Sequence, residues 1–316
     1  MKNILVCGGC GFIGSNLINE LMKDNNNNVI CIDNLLTGDL NNIKHHLKNI
    51  RFTFYEKDII DSLSYIKIKI DEIYNFACPA SPIHYQNNKI HTLKSSVIGV
   101  LNLLELTRIN DCKFLQASTS EVYGDSLINP QDESYFGNVN PIGVRSCYDE
   151  GKRCAETLIM DYHREYKLKT KIVRIFNTYG INMQENDGRV ISNFIIQALN
   201  NEDITIYGDG KQTRSFQYID DLIDGVIKIM NTDENVYEPI NIGNPDEKTI
   251  LELADLIIKL TDTKSKLVFK NLPLDDPKQR KPNINKIINL INWKPNVSLE
   301  EGLIKTIEYF KNKKGE

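Results

Sequence analysis

The stretch Gly8-Gly9-Cys10-Gly11-Phe12-Ile13-Gly14 decides the fold class, because it joins the short apolar segment Asn3–Cys7 to a helical pattern over Phe12–Lys23. Its glycines allow two readings, Gly9-x-Gly11-x-x-Gly14 and Gly8-x-x-Gly11-x-x-Gly14. Glycine is needed at such positions because a Cβ atom would block the tight turn and the approach of the backbone to a pyrophosphate. The helix that follows offers free N–H groups and a partial positive charge. The stretch therefore predicts a dinucleotide-binding turn between a strand and a helix.

Apolar segments and helix-length segments alternate through the first half of the chain. Such alternation is typical of βαβ units, whose parallel strands are buried on both faces of one sheet. The expected fold class is therefore α/β, a doubly wound parallel sheet of the Rossmann type. The further predicted strands are Val29–Asp33, Arg51–Glu56, Glu72–Phe76, Cys112–Ala117 and Thr170–Ile175, and the further predicted helices are Tyr85–Asn110 and Cys147–Tyr166.

The alternation loosens after about Asn177, where loops containing glycine separate shorter elements. We predict a smaller C-terminal α/β domain for the substrate, with Phe216–Met230 and the strand after it returning to the main sheet. The first domain would comprise residues 1–177 and about 216–242, and the second about 178–215 and 243–316.

Asp33 lies 19 residues after Gly14, at the end of the second predicted strand. A carboxylate there accepts hydrogen bonds from the adenosine ribose hydroxyls and repels a 2′-phosphate, which favours NAD over NADP. Asp58 and Ile59 follow the third strand and could meet the adenine edge, although an ordinary acidic loop residue explains Asp58 equally well.

Composition excludes several classes of protein. The 316 residues carry 38 Lys and Arg against 42 Asp and Glu, a net charge of −4, whereas nucleic-acid-binding proteins usually show a basic excess. No apolar run approaches the 18 or more residues of a membrane span, and the short apolar start at Met1–Val6 lacks the features of a signal peptide. We expect no nucleic-acid partner and no membrane association.

The seven cysteines and five histidines are scattered along the chain. An odd number of cysteines in a large domain suits a reducing compartment, so we expect a cytoplasmic protein. Cys7 and Cys10 have the spacing of a redox or metal pair, but no second ligand pair follows, which favours packing around the turn. The histidines, including His91, form no cluster, and we predict no metal.

Tyr148 and Lys152 lie four residues apart at the start of a predicted helix, so their side chains share one face. Thr119 follows the predicted strand Cys112–Ala117, where a hydroxyl could hold a reacting oxygen. The Tyr–Lys spacing alone is common and usually belongs to a surface or half-buried pair. Together with a dinucleotide-binding turn, however, the three residues resemble the active site of the extended short-chain dehydrogenase/reductase superfamily.

The chemistry of a tyrosine base supports that resemblance. To take a proton from a sugar hydroxyl near neutral pH, the pKa of Tyr148 must fall from about 10 toward ~7. That difference of about 3 pKa units corresponds to ~4 kcal/mol of preferential stabilisation of the phenolate. We expect Lys152 and the positive nicotinamide to supply it as neighbouring charges. Thr119 would hold the reacting oxygen while hydride passes to NAD.

A more specific resemblance covers almost the whole chain. It rests on seven segments, namely Ala77–Pro82, Ser118–Asp125, Asn140–Gly143, Cys147–Arg153, Arg174–Thr178, Asn186–Val190 and Arg280–Pro282. In order and spacing, they resemble segments of the UDP-glucuronate decarboxylase family, whose members make UDP-xylose. The resemblance implies oxidation of UDP-glucuronic acid at C4, loss of carbon dioxide from the resulting β-keto acid, and re-reduction by the retained NADH.

The resemblance also implies roles for individual residues. Glu121 would position the sugar or carry a proton during decarboxylation, and the guanidinium of Arg280 would hold the carboxylate or carbon dioxide. From the residues alone, Glu121 could instead form a structural salt bridge, and Arg280 would lie in a solvated basic loop. The implied catalytic residues are Thr119, Ser120, Glu121, Tyr148, Lys152 and Arg280. The residues implied to bind NAD are Gly8, Gly11, Phe12, Ile13, Gly14, Asp33, Asn34, Thr37, Gly38, Asp58, Ile59, Ala77, Lys94, Tyr148 and Lys152. Those implied for UDP-glucuronic acid are Pro82, Tyr85, Glu121, Arg145, Asn177, Arg189, Val190, Tyr207, Gln212, Arg214 and Arg280, with Asn177, Arg189 and Arg214 at the diphosphate or uridine end.

Three alternatives stay open at this point. A nucleotide-sugar 4,6-dehydratase resembles this chain but carries Thr-Asp-Glu after the strand, where the aspartic acid protonates a departing hydroxyl. This chain has Ser120 there, and serine cannot serve as that acid near neutral pH. An epimerase would share the oxidation but has less need of Glu121 with Arg280. A non-catalytic regulator on the same fold would typically lack Tyr148 or Lys152.

Two positions depart from the family pattern, since Cys78 stands where serine is usual and Ser96 where asparagine is usual. The first change is nearly isosteric, whereas the second would remove a buried polar link beneath the catalytic residues. The family also implies a homodimer, and the two long predicted helices, Tyr85–Asn110 and Cys147–Tyr166, suit a four-helix interface between subunits.

Overall fold

The computed structural model describes residues 1–271 and 279–315. In chain order its strands are β1 (Lys2–Cys7), β2 (Asn27–Asp33), β3 (Phe52–Glu56), β4 (Glu72–Asn75), β5 (Lys113–Thr119), β6 (Lys169–Ile175), β7 (Thr178–Tyr179), β8 (Ile204–Tyr207), β9 (Thr213–Ser215), β10 (Gln217–Tyr218), β11 (Ile240–Ile242), β12 (Glu247–Thr249) and β13 (Leu267–Lys270). Seven of these described strands form one sheet in the order β11-β6-β5-β4-β1-β2-β3, and all neighbours are parallel. Residues 272–278 and Glu316 of the second predicted domain lie outside the described residues.

Helices cover both faces of this sheet. They are α1 (Phe12–Leu21), α2 (Pro82–Asn87), α3 (Lys89–Lys94), α4 (Val100–Asn110), α5 (Ser146–Tyr166), α6 (Val190–Leu199), α7 (Ile219–Met230), α8 (Ile250–Thr261), α9 (Asn285–Ile291) and α10 (Leu299–Gly315). Because successive strand residues point to opposite faces, Ile4 and Val6 of β1 join a core with α1 and α7, while Leu5 and Cys7 join another with α4 and α5. The predicted doubly wound α/β class is thereby confirmed.

The winding reverses at β1, which pairs with β2 on one side and with β4 on the other. The chain proceeds outward from β1 to β3, crosses to β4 and continues in the opposite direction. In open α/β sheets, ligands bind outside the carboxyl ends of the strands at such a point. Gly8 follows β1 directly, Asp33 is the last residue of β2, and Thr119 is the last residue of β5. These three predicted site residues therefore lie at the carboxyl edge of the sheet.

The C-terminal part forms smaller sheets, with β9 antiparallel to β12 and β8 parallel to β13. Helix α7 packs against β5 and β6, and β11 pairs with β6, so this segment returns to the main sheet as predicted. One apolar cluster includes residues of α1, α6, α7, α8 and α10. The division into two domains stays a prediction.

The prediction of one continuous helix over Tyr85–Asn110 is wrong. The chain forms α2 and α3, then a π-helical turn at Ser95–Gly99, then α4. Asn88 separates the first two helices with φ −127° and ψ 44°, and its side chain donates to a carbonyl one turn earlier at 3.1 Å. Asparagine side chains commonly compete with helical backbone bonding in this way. The π-helical turn lays Ser96 against Gly151 of α5, where a Cβ on the glycine would lie 3.0 Å from that of the serine.

All seven cysteines are free thiols, and Cys7 and Cys10 are both buried around the glycine turn. In residues 1–271 and 279–315, no helix has the length and hydropathy that a bilayer crossing requires. The same residues contain no group of three or more His, Cys, Asp or Glu side chains arranged to hold a metal ion.

Candidate active site

A cavity runs along the carboxyl edge of the sheet from the glycine turn to Arg280. Most of the predicted site residues line it: Gly8, Gly11, Phe12, Ile13, Gly14, Asp33, Asn34, Thr37, Asp58, Ile59, Ala77, Pro82, Tyr85, Thr119, Ser120, Glu121, Arg145, Tyr148, Lys152, Asn177, Arg189, Arg214 and Arg280. The described lining does not include Gly38, Lys94, Val190, Tyr207 or Gln212, and their roles stay predictions.

At one end, which we call the cofactor end, the glycine turn and Asp33 form the cavity wall. Gly8 has a φ of +74°, and a Cβ on Gly14 would collide with the Gly8 carbonyl oxygen, so both positions require glycine. The two carboxylate oxygens of Asp33 accept hydrogen bonds from the backbone N–H groups of Cys10 and Leu35, each at 2.9 Å. Burial nevertheless raises the pKa of Asp33 above its ordinary value. This turn and carboxylate fit the pyrophosphate and ribose of NAD.

Asp58 is the centre of a hydrogen-bonded group beside Asp33. One of its oxygens accepts from Asn34 Nδ2 and contacts His91 Nε2, both at 2.6 Å. Burial tends to raise the pKa of Asp58, but the hydrogen bonds from the Ile60 N–H and from His91 outweigh it and lower the pKa. His91 thus lines the cavity, a role that its isolated position in the sequence did not indicate.

Tyr148 and Lys152 project from the first turns of α5 into the middle of the cavity. Lys152 Nζ donates to the Ala117 carbonyl at 2.7 Å and lies 5.7 Å from the centroid of the Tyr148 ring. On its other side, the Tyr148 ring stacks on Tyr85 with centroids 5.0 Å apart. The end of β5 places Thr119 next to Tyr148. The tyrosine, lysine and threonine predicted to act together are therefore brought together.

Burial opposes the ionisation of Tyr148. Burial raises the pKa of Tyr148 well above its ordinary value, and the contact with Thr119 offsets only part of the effect. Burial also lowers the pKa of Lys152. The low Tyr148 pKa predicted from the sequence would therefore require further positive charge beside the ring.

At the other end, which we call the sugar end, Glu121 lies between two arginines. Arg280 donates to both carboxylate oxygens, at 3.2 and 3.1 Å, and Arg145 donates to one of them. Burial alone would raise the pKa of Glu121, but the two guanidinium groups hold it down at about 2. Glu121 is therefore ionised at neutral pH.

Arg280 is only 2% exposed, and Gln131 fixes the backbone that follows it. The Gln131 N–H donates to the Lys281 carbonyl, its Oε1 accepts from the Lys281 N–H, and its carbonyl accepts from the Asn283 N–H, each at 2.7 Å. Arg280 Nη1 also donates to the Gly124 carbonyl at 2.6 Å. The solvated basic loop that the residues alone favoured is wrong for Arg280.

A buried polar network that the sequence did not indicate lies behind Lys152. Ser118 Oγ donates to Glu156 at 2.5 Å, and Arg174 binds both oxygens of Glu156 at 2.9 and 2.7 Å. Arg174 also donates to Tyr123 Oη at 3.0 Å. The network joins the strand end that carries Thr119 to the helix that carries Lys152. Two features of the sequence could have indicated this network. Glu156 lies one helical turn after Lys152, and Arg174 is the first residue of one of the seven segments that resemble the family.

The two departures from the family pattern contact each other. Cys78 Sγ lies 3.4 Å from Ser96 Oγ, and Cys78 lines the cavity. The two side chains therefore make a polar contact with each other.

Comparison with characterised proteins decides the family. UDP-glucuronic acid decarboxylase 4 of Arabidopsis thaliana is 49% identical over 310 residues, which cover 98% of this chain and 69% of that protein. UDP-glucuronic acid decarboxylase 1 of Danio rerio is 48% identical over 309 residues, covering 98% of this chain and 72% of that protein. The chain belongs to the UDP-glucuronic acid decarboxylase family. The resemblance seen in the seven sequence segments is confirmed.

This member of the decarboxylase family also matches, over residues 5–306, the family model described as GDP-mannose 4,6 dehydratase. Among solved structures, it is similar to a Bacillus cereus UDP-glucuronic acid 4-epimerase determined with UDP-glucuronic acid and NAD. The identity is 31% and the TM-score 0.88, with 98% of this chain and 99% of the epimerase covered. The fold is thus that of the extended short-chain dehydrogenase/reductase superfamily.

Proposed function

We propose that this protein converts UDP-glucuronic acid into UDP-xylose and carbon dioxide, with NAD as its cofactor. The observation that carries the proposal is the placement of Arg145, Glu121 and Arg280 in the same cavity as Tyr148 and Lys152. A uronic acid carboxylate would meet guanidinium groups at the sugar end while its C4 hydroxyl lies beside the tyrosine. Membership of the decarboxylase family supports the same reaction.

The first step is oxidation at C4. The glycine turn and Asp33 would hold NAD, which would supply a hydride acceptor that is regenerated within one turnover, so no external oxidant would be consumed. Tyr148 accepts the proton of the C4 hydroxyl, and the ammonium of Lys152 stabilises the phenolate that must form. Thr119 donates a hydrogen bond to the C4 oxygen and fixes its position.

The second step is decarboxylation. The C4 ketone is β to the carboxylate, so when the C5–C6 bond breaks and carbon dioxide leaves, its electron pair passes into an enolate. C5 then gains a proton from solvent water, and Tyr148 returns its proton to the C4 oxygen as the ketone is reduced. Arg280 and Arg145 hold the carboxylate. Because Glu121 has a pKa of about 2, it suits the positioning of a sugar hydroxyl better than the donation of a proton.

The remaining site assignments belong to the same proposal. Asn177, Arg189 and Arg214 line the cavity and would hold the diphosphate or uridine. Ser120 stands where a 4,6-dehydratase needs an acid, which supports decarboxylation over loss of water.

We further propose a cytoplasmic homodimer. The free thiols of all seven cysteines support a reducing compartment. Exposed apolar side chains on α3, the π-helical turn and α4, namely Ile90, Leu93, Ile98 and Ile109, support a helical interface between two subunits. The break at Asn88 shortens the helix available for that interface.

A proton NMR time course with UDP-glucuronic acid and catalytic NAD tests the reaction. We expect UDP-xylose to appear without stoichiometric NADH, and Tyr148→Phe to abolish it. Formation of UDP-galacturonic acid would indicate an epimerase instead. If the substrate stays unchanged while NAD binding is confirmed, the proposed function is wrong. A 4-keto pentose accompanied by NADH would show that the last step is incomplete.

A further inference from the structure

Asp149, the residue after Tyr148 on α5, is a second carboxylate at the sugar end that the proposed reaction does not use. Its side chain is buried, with the residue 7% exposed. Its Oδ2 lies 3.7 Å from Arg145 Nε, beyond hydrogen-bonding distance. Its Oδ1 is buried and has no hydrogen-bond partner among the described residues. A buried carboxylate with so little hydrogen bonding is costly in its ionised form.

The charged groups around Asp149 make one cluster. Glu121 faces it from the segment after β5, Arg145 from the start of α5, and Arg280 from the segment before α9, while Glu150 follows it on its own helix. The neutral groups Tyr85 of α2 and Cys147 also lie close enough to sense its charge. Burial, followed by the charge of Glu121, raises the pKa of Asp149 to about 7, because Arg145 and Arg280 offset only part of both effects.

The net charge of this cluster depends on whether Asp149 is protonated. Arg145 and Arg280 carry two positive charges, and Glu121 carries one negative charge. Glu150 is not counted in the cluster, because its side chain is 37% exposed and pairs with Arg153. With Asp149 protonated, the cluster has one positive charge left for a substrate carboxylate. With Asp149 ionised, the cluster is neutral, and an arriving carboxylate would be the third negative charge beside two guanidinium groups.

We propose that Asp149 is a positioning residue that binds one proton when the substrate carboxylate enters the Arg145–Arg280 pair. The proton comes from solvent and returns to solvent when the product, which has no carboxylate, occupies the site. The inference rests on the proposed function, since it requires a substrate with a carboxylate. It gives the sugar end a means of favouring UDP-glucuronic acid over neutral sugars at and below neutral pH.

Calorimetric titration of the NAD-loaded enzyme tests this, with Tyr148→Phe as the background so that the substrate is not turned over. Titrations in two buffers of different ionisation enthalpy give the number of protons bound with the ligand. We expect UDP-glucuronic acid to bind with uptake of up to about 0.9 proton at pH 8 and about 0.1 at pH 6. UDP-xylose should bind with no uptake at either pH. This comparison needs no substitution at Asp149.

Steady-state kinetics gives a second readout. In the wild-type enzyme the KM for UDP-glucuronic acid should rise above pH 7, by up to about tenfold per pH unit, because the ionised Asp149 opposes binding. Asp149→Asn, which mimics the protonated form, should remove that rise, and Glu150→Gln on the next residue should keep it. Glu150 is a suitable control because its side chain is 37% exposed and pairs with Arg153.

The outcomes separate the two proposals. If UDP-glucuronic acid binds and reacts but takes up no proton at pH 8, the role of Asp149 is wrong and the decarboxylase function stands. Equal uptake with UDP-xylose also overturns it, because the proton would not follow the carboxylate. If UDP-glucuronic acid does not bind while NAD does, both proposals fall.

Discussion

The two ends of the cavity are held by different kinds of interaction. At the cofactor end, backbone conformation and backbone hydrogen bonds form the site. Gly8 has a φ of +74°, and two backbone N–H groups donate to the Asp33 carboxylate. At the sugar end Glu121 is held by Arg145 and Arg280, which come from segments far apart in the chain. The cofactor end therefore depends on the shape of the backbone, and the sugar end on a balance of charge.

This difference determines which changes each end tolerates. An added Cβ at Gly8 or Gly14 of the glycine turn meets backbone atoms, which cannot move aside as a side chain can. A lost charge at the sugar end leaves its partner buried and less compensated. Changes of shape should thus damage cofactor binding at every pH, whereas changes of charge should damage substrate binding in a way that depends on pH.

The largest effect should come from the residue between the two ends. Tyr148→Phe removes the proton acceptor but keeps the ring that stacks on Tyr85. We expect kcat to fall about a thousandfold, since general acid–base groups contribute about 10²–10⁴. The dissociation constants of NAD and UDP-glucuronic acid, measured by calorimetry, should change less than threefold. Retention of a tenth of the activity would show that another group accepts the C4 proton.

Arg280→Met should disable the sugar end alone. The substitution keeps much of the side chain but leaves Glu121 with only Arg145, at a buried site. We expect kcat/KM for UDP-glucuronic acid to fall about a hundredfold, as for loss of one partner of a buried charge pair worth about 2–3 kcal/mol. NAD affinity should be unchanged. Lys281→Met is the control, since Lys281 pairs at the surface with Glu247 at 3.0 Å and should lose little activity. A parallel loss of NAD affinity would contradict the independence of the two ends.

Two alanine substitutions should break the cofactor end by shape. A Cβ at Gly14 would collide with the Gly8 carbonyl oxygen, whereas one at Gly11 would lie 3.3 Å from it with no other close neighbour. Gly14→Ala should therefore lower the free energy of unfolding by about 2 kcal/mol, within the range for overpacking, and Gly11→Ala by much less. Thermal unfolding without NAD measures the difference. Equal losses would mean that the turn relaxes around either methyl group.

The same contrast explains how much the sequence could predict. The cofactor end is formed by residues that are close together in the sequence. A glycine pattern after a strand and a carboxylate at the end of the next strand therefore predicted its position and the α/β fold. The sugar end is formed by residues that are far apart in the sequence. The residues alone favoured a solvated loop for Arg280, and only a family resemblance placed it in the site.

Other residues could not be predicted because their state depends on partners distant in sequence. Asp149 is an ordinary acidic residue of an amphipathic helix until burial beside Glu121 raises its pKa. His91 lies on α3, between the break at Asn88 and the π-helical turn, and it lines the cavity. Helical periodicity gave no sign of either irregularity, since both arise from side-chain bonding and from packing against α5.

The smallest effect is expected beneath Lys152, where Cys78 and Ser96 contact each other. Cys78→Ser keeps both the volume and the polar contact, so Tm and kcat should change little. Ser96→Asn enlarges a buried side chain that lies close to Gly151 of α5, and overpacking should lower the free energy of unfolding by about 1 kcal/mol. The double variant measures whether the two positions are coupled, because contacting residues give interaction energies of about 0.5 kcal/mol or more. Additive effects on Tm would show that the contact carries no energy. A Ser96→Asn variant with unchanged Tm and raised kcat would instead show that this chain lost a useful polar link.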